Sequence, residues 1–208
     1  MIVIVDYGMG NLRSAQKGLE KAGVDAVISD DAQDIDRAHA VVLPGVGAFR
    51  DCFEGLRTRH MVEPLRRAAQ SGKPFLGICV GLQLMFEGSE EGNVDEGLGI
   101  FRGRVVRFPK MEGLKVPHMG WNELQPVAER PCPLLQGLSE KPYVYFVHSY
   151  FARPTEPEIV LATSEHGVKF PALVGRDNVF AVQFHPEKSQ AEGNTILKAF
   201  GDFARREG

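Results

Sequence analysis

Through its first half the chain alternates two hydrophobic rhythms. Ile2 to Val5 is a short, continuous apolar run ended by Gly8, as a buried parallel strand would be. From Asn11 to Lys21 the apolar residues Leu12, Ala15 and Leu19 recur at helical spacing, and Gly23 stops the pattern. Val24 to Ile28 reads as a second strand and Ala40 to Leu43 as a third, closed by Pro44-Gly45. A helical stretch is expected from about Ala48 to Ala69, broken near Pro64. Pro74 to Ile78 reads as a fourth strand, and Leu82 to Glu87 opens a helix carrying apolar Leu82, Met85 and Phe86. Repeated β-α alternation with short links predicts a three-layer α/β sandwich around a mostly parallel central sheet.

The rhythm changes after Gly99. Val105 to Phe108, Tyr143 to Phe151, Ile159 to Thr163, Ala172 to Gly175 and Val179 to Phe184 are strand-like pieces separated by Gly and Pro. They predict antiparallel hairpins added to the sheet or covering it. From about Thr195 to Arg206 the chain is helical again, with Ile196, Leu197, Phe200 and Phe203 on one side. No repeat or linker interrupts the pattern, so one domain over residues 1–208 is the economical reading.

Composition narrows the class of protein. With 43% hydrophobic and 25% charged residues the balance is that of an ordinary globular chain. The formal charge of −3 gives no footprint for nucleic acid. No apolar run approaches the roughly 18 residues of a membrane span, and Met1 to Asp6 lacks the basic start of a signal peptide. Three cysteines do not make a disulfide framework, so a reducing, cytoplasmic setting is expected.

One of those cysteines carries candidate chemistry. Gly77-Ile78-Cys79-Val80-Gly81 sits where a strand runs into a helix, the nucleophile-elbow pattern with Cys in place of Ser. Such a turn is tight, so small residues are needed two places to either side, and the following helix points its N–H groups at the sulfur, favouring thiolate. The competing reading, a small buried hydrophobe, fits Cys52 beside Phe53 better, while Cys132 lies between two prolines with nothing to activate it. Near the C-terminus, Phe184-His185-Pro186-Glu187-Lys188-Ser189 follows an apolar strand. In extended chain, residues two apart project to one side, so Glu187 can orient His185 as a base for the sulfur. Alone, His-Pro-Glu reads more readily as a chance pair in an exposed loop; beside an elbow cysteine it completes a Cys-His-acid set. The remaining histidines have no acid at the same spacing, and neither HExxH nor zinc-ligand spacing occurs, so no metal or cofactor is expected. Gly8-Met9-Gly10 after the first strand hints at a dinucleotide turn, but Arg13 occupies the third glycine place.

The elbow with Gln83, together with His185-Pro186-Glu187, resembles the class I (triad) glutamine amidotransferases, and the likeness reaches across most of the chain. More local segments resemble the histidine-biosynthesis branch of that family: Asp6 to Asn11, Pro44-Gly45-Val46-Gly47, Pro117 to Asn122, Phe146 to Tyr150 and His185 to Ser189. The resemblance implies a glutaminase that forms a glutamyl thioester on Cys79 and passes ammonia to a (β/α)₈-barrel cyclase in a heterodimer. It implies an oxyanion site built from Val46, Gly47 and the Val80 N–H, and substrate contacts from Gln83, Ser149 and Tyr150. Ser149 stands where some members carry Thr, and either hydroxyl can bind substrate. It further implies a partner surface at Asn11, His118, Trp121 and Lys188; read without it, Trp121 is core packing and Lys188 a solvated charge. A glutaminase of another pathway, a silent regulatory subunit and a cysteine peptidase are the rival readings.

Overall fold

The computed structural model describes residues 1–207. Its centre is an eight-stranded sheet ordered β2-β1-β3-β4-β12-β11-β10-β7. The strands are β1 Ile2–Val5, β2 Ala26–Ser29, β3 Ala40–Gly45, β4 Phe75–Cys79, β7 Gln125–Pro126, β10 Val160–His166, β11 Val168–Arg176 and β12 Val179–Val182. The pairs from β2 to β12 are parallel and those from β12 to β7 antiparallel, as the change of rhythm along the sequence predicts. Every residue of β1, β3, β4 and β12 is buried, which explains their continuous apolar runs. β12 does both: it pairs antiparallel to β11 and parallel to β4, and so joins the two halves of the sheet. Two further antiparallel pairs flank the sheet. β5 Gly103–Arg107 joins β9 Tyr150–Pro154, and β6 His118–Glu123 joins β8 Tyr143–His148.

The helices are α1 Leu12–Lys21, α2 Ala32–Arg37, α3 Phe49–Thr58, α4 Val62–Gln70, α5 Val80–Leu84 and α6 Gln190–Glu207. α1 buries Ala15 and Leu19 and packs on α6. It closes with Gly23 at φ +75°, the Gly23 N–H reaching Glu20 and the Val24 N–H reaching Leu19. α3 closes in the same way, with His60 at φ +56° and the Met61 N–H on the Leu56 carbonyl. The break in the expected long helix therefore falls at Arg59 to Met61, not at Pro64. Pro64 occupies the first turn of α4, where a missing N–H costs nothing.

α5 is shorter than the sequence pattern suggests. The loop 97–101 takes over the carbonyls of Leu84, Met85 and Phe86, through the N–H groups of Leu98, Ile100, Phe101 and Gly99. A Cβ on Gly97 would lie 2.0 Å from the Phe86 oxygen, so that loop closes down on the helix end only as glycine. Among the described residues no helix is long and apolar enough to cross a membrane.

Candidate active site

The two candidate chemical groups meet because β4 and β12 are neighbours. Val182 pairs with Ile78, so the chain leaving β12 runs beside the elbow that leaves β4. On the other side Gly45 pairs with Cys79, which brings the turn after β3 to the same edge. This is the C-terminal edge of the parallel strands, where open α/β sheets carry their sites.

Cys79 adopts φ +56°, ψ −108°, a strained conformation for a residue with a side chain. The glycines around it are required by contact. A Cβ on Gly81 would lie 1.9 Å from the Leu43 carbonyl oxygen, and one on Gly77 would lie 3.0 Å from the Gly81 backbone. α5 has only five residues, so it contributes a smaller dipole to the sulfur than a full helix would.

His185 is 2% exposed and donates its Nδ1–H to Glu187 Oε1 at 2.8 Å. The sequence reading placed these side chains together through extended chain. Instead Pro186–Lys188 forms a 3₁₀ turn that folds the carboxylate back under the ring. Burial alone would lower the imidazole pKa. Hydrogen bonds with Cys79 and Glu187, and the charges of both, outweigh it and raise His185 to about 10. The segment is clamped from β8: Tyr145 accepts the His185 N–H, and Ser189 Oγ donates to the His185 carbonyl while accepting the Tyr145 N–H. Behind it, a Cβ on Gly18 of α1 would lie 2.9 Å from the Glu187 Cβ, so α1 holds the acid from the rear. Glu187 Oε2 is buried and has no partner among the described residues.

A cavity of about 380 Å³ opens above the sulfur, lined among others by Val46, Gly47, Cys79, Val80, Gln83, Ser149, Tyr150, His185 and Lys188. All the catalytic, oxyanion and substrate positions expected from sequence except Glu187, which stands behind His185, thus border one space. Beneath the oxyanion turn, Tyr7 donates its hydroxyl to the Pro44 carbonyl at 2.8 Å and Cys52 donates to the Val46 carbonyl at 3.2 Å. N–H and C=O of a trans peptide point opposite ways, so the Gly47 N–H is turned away from Cys52. Cys52 is therefore more than packing, and burial raises its thiol to about 11. Gln83 donates to the Tyr150 carbonyl at 3.0 Å and to Gln183 Oε1 at 3.2 Å. Both hydrogens of its amide are spent, which leaves its oxygen as the atom able to meet a ligand.

A larger cleft of about 580 Å³ lies at the other end of the sheet, beside Arg66, Phe101, Arg176 and Asn178. Its arginines are already committed, Arg66 to the carbonyls of Gly97 and Leu98 and Arg176 to Ile100 and Glu156. No convergent reactive groups line it, so the smaller cavity is the site.

The expected partner residues divide. Trp121 is 46% exposed, packs edge-on against Tyr145 and stands on β6 next to Met119, which is 63% exposed. Asn11 is exposed at the start of α1, and its side chain makes no cap hydrogen bond. Lys188 is exposed over the Tyr145 ring. His118 differs: it is 5% exposed and lies behind the surface in a cluster with His148, His166 and Phe108. That placement corrects the expectation of a surface contact, because β6 turns alternate residues inward and His118 is on the inner set.

Sequence reasoning overlooked the chain of bonds that His118 begins. Asn122 Nδ2 meets His118 Nε2 at 3.1 Å, His118 Nδ1 meets His148 Nε2 at 3.1 Å, and His148 Nδ1 donates to the Tyr150 carbonyl at 2.8 Å. Since that carbonyl only accepts, His148 carries a proton on Nδ1, and because burial keeps both rings uncharged each has a single N–H. Burial, with His166 nearby, lowers His118 to about 4, and burial lowers His148 to about 3. Unfolded histidine titrates near 6.5, so acid favours the unfolded chain. Stability should fall as pH drops from about 6.5 towards 4. Urea midpoints measured across that range should show the slope, and His148→Gln should flatten it; an unchanged slope would mean other groups govern acid sensitivity.

The sequence model of the family described as Glutamine amidotransferase class-I matches residues 3–202. Imidazole glycerol phosphate synthase subunit HisH of Syntrophotalea carbinolica is 56% identical, over 97% of this chain and 100% of that protein. The protein of the same name from Geobacillus thermodenitrificans is 52% identical over 96% and 94%. Among solved structures, a glutamine amidotransferase crystal structure superposes with a TM-score of 0.75 at 21% identity, covering 99% of this chain and all of that one. PurLQS from Thermotoga maritima gives 0.75 at 20% identity, over 97% of each chain. These two speak for the fold; the family model and the sequence relatives, spanning nearly the whole chain, speak for descent. The chain belongs to the class I glutamine amidotransferases and, within them, to the HisH subunits of imidazole glycerol phosphate synthase.

Proposed function

We propose that the chain is the glutaminase subunit of an imidazole glycerol phosphate synthase, releasing ammonia from glutamine at Cys79. The observation that carries the chemistry is His185, bonded to Glu187 at 2.8 Å, beside a cysteine held at a strained elbow. Cys79 attacks the side-chain amide carbon of glutamine. The oxyanion is held by the Val80 N–H and by amides of the Val46-Gly47 turn. His185 protonates the departing ammonia, and a glutamyl thioester remains. Water activated by His185 hydrolyses it to glutamate. Gln83, Ser149 and Tyr150 position the amino-acid portion of the substrate.

Glu187 fixes the tautomer of His185 and balances its charge. Glu187→Gln should lower kcat by about 10³- to 10⁴-fold with little change in KM, by analogy with acid-to-amide changes in related triads. A loss confined to KM would remove Glu187 from this role.

The ammonia goes to a (β/α)₈-barrel cyclase that makes imidazole glycerol phosphate and AICAR in histidine biosynthesis. Support comes from the HisH relatives' designation as synthase subunits and from the exposed Met119, Trp121 and Tyr143 on the β6–β8 pair. Asn11 and Lys188, both exposed, are further polar contacts in this reading. The whole chain acts as one glutaminase domain in the cytoplasm, where its free thiols stay reduced. The test is glutamate release from glutamine by the purified chain, alone and then with the cyclase and its nucleotide substrate. Strong stimulation by both supports this pathway. High activity alone, indifferent to that cyclase, would assign the same chemistry to another pathway.

A further inference from the structure

Gln183 is fully buried at 0% exposure and directly follows the apolar strand Val179–Val182. A polar side chain there needs partners. Its Oε1 accepts from Gln83 Nε2 at 3.2 Å, and its Nε2 lies 3.8 Å from Cys79 Sγ, within the range of a hydrogen bond to sulfur. The orientation of both amides is fixed by chemistry. The Tyr150 carbonyl can only accept, so Gln83 must face it with its NH₂. The second hydrogen of that NH₂ then points at Gln183, which must answer with its oxygen. Gln183 is left with its own NH₂ turned to the sulfur.

We propose that Gln183 is a further catalytic residue of this site, a fixed N–H donor that holds the Cys79 sulfur as thiolate beside His185. The inference rests on Cys79 being the nucleophile. The donor is polarised through the row Tyr150 carbonyl, Gln83, Gln183, and is shielded from water, where a hydrogen bond to an ion is worth most. The same arm ties the substrate wall to the nucleophile, since Gln83 cannot rotate without releasing Gln183. The titratable groups around the sulfur are His185 from the turn after β12, Tyr7 from the loop after β1 and Cys52 from α3. Glu91, His148 and Lys188 stand on the cavity wall. Of these, His185 is raised towards a positive charge beside the sulfur, and Lys188 is the other cation on the wall. Burial raises the Tyr7 hydroxyl and the Cys52 thiol, keeping both neutral.

The test compares the full chain with Gln183→Met and Gln183→Glu. Met matches the length without a donor; Glu keeps the acceptor for Gln83 but removes the N–H. Alkylation of Cys79 by iodoacetamide, followed at that peptide by mass spectrometry near neutral pH, should slow on the order of ten- to a hundredfold in both. Glutaminase kcat should fall with it while KM stays within about threefold. Unchanged alkylation in either folded variant overturns the proposal, as does a loss confined to KM, which would make Gln183 a mere support for Gln83. Should neither variant fold, the unsubstituted chain decides: the Gln183 side-chain NH₂ resonances must move when Cys79 is alkylated, and fixed resonances overturn it. Failure of the underlying reading looks different. The unsubstituted chain would then release no glutamate, and a chloroketone analogue of glutamine would leave Cys79 unlabelled.

Discussion

Replacing Cys79 by Ala should abolish glutamine hydrolysis while leaving the complex able to work from free ammonia. The loss expected for removing a covalent nucleophile is at least about 10⁴-fold in kcat. The substitution removes only the sulfur from a side chain that is already 3% exposed, and alanine meets the same backbone strain as cysteine. The fold should therefore survive, and the cavity beside that side chain should keep its shape. Two assays read the outcome: glutamate release from glutamine, and product formation by the assembled synthase supplied with ammonium. Glutaminase activity near that of the unsubstituted chain would remove Cys79 from the mechanism. Loss of both activities would mean that Cys79 supports assembly as well as chemistry.

Gly81→Ala should be one of the two most destructive methyl additions near the site, the other being at Gly193, whose Cβ would lie 1.8 Å from the Pro186 carbonyl oxygen. At Gly81 the new Cβ would lie 1.9 Å from the Leu43 carbonyl oxygen, well inside contact distance. Neither side can yield cheaply. Leu43 belongs to a fully buried strand in register with Gly77, and Gly81 starts the helix that fixes the elbow. Core overpacking usually costs about 1–3 kcal/mol; a backbone-to-backbone clash in a central strand should reach the upper end or pass it. Because relief can only come from lifting α5, activity should fall in the fraction that still folds. Gly23→Ala is the contrasting case. Unlike Gly81 it sits at positive φ, but it meets open space, so it should cost about 1 kcal/mol and leave activity intact. Urea unfolding and glutaminase assays of the two variants make the comparison. Equal stability would show that the elbow is more plastic than these contacts imply.

The sequence was most informative where one local interaction dominated. Buried parallel strands announce themselves because both faces are covered, so β1, β3 and β4 could be read almost to the residue. The elbow was legible because sterics restrict its neighbours to glycine. His185 and Glu187 could be paired correctly by an argument whose geometry differed, since a 3₁₀ turn and an extended chain both bring positions two apart within reach. What escaped notice depended on distant partners. The end of α3 carries His60 where glycine is usual, so nothing marked the stop. The early end of α5 is imposed by residues 97–101, and the short strand β6, interrupted by Gly120, has no apolar rhythm. Helix α2, six residues long, has one buried position and therefore no period to detect. Gln183 had a faint signal, a single polar residue in an apolar run, but its meaning needed Gln83, a hundred residues away. His118 was carried to the surface by resemblance, and the alternation of β6 brings it back inside.

The position of β12 sets a schedule for the nascent chain. The strands from β1 to β4 arise from residues 2–79 and those from β7 to β11 from residues 125–176, yet the strand that joins these halves is made last. Until residues 179–182 have emerged from the ribosome, β4 has an open flank and the elbow cysteine has neither its base nor its acid. Pairings of such long sequence separation close slowly. Ammonia release is thus withheld from every unfinished chain, and the exposed edge of β4 is the stretch on which a chaperone or a stray strand would compete with the protein's own C-terminal segment.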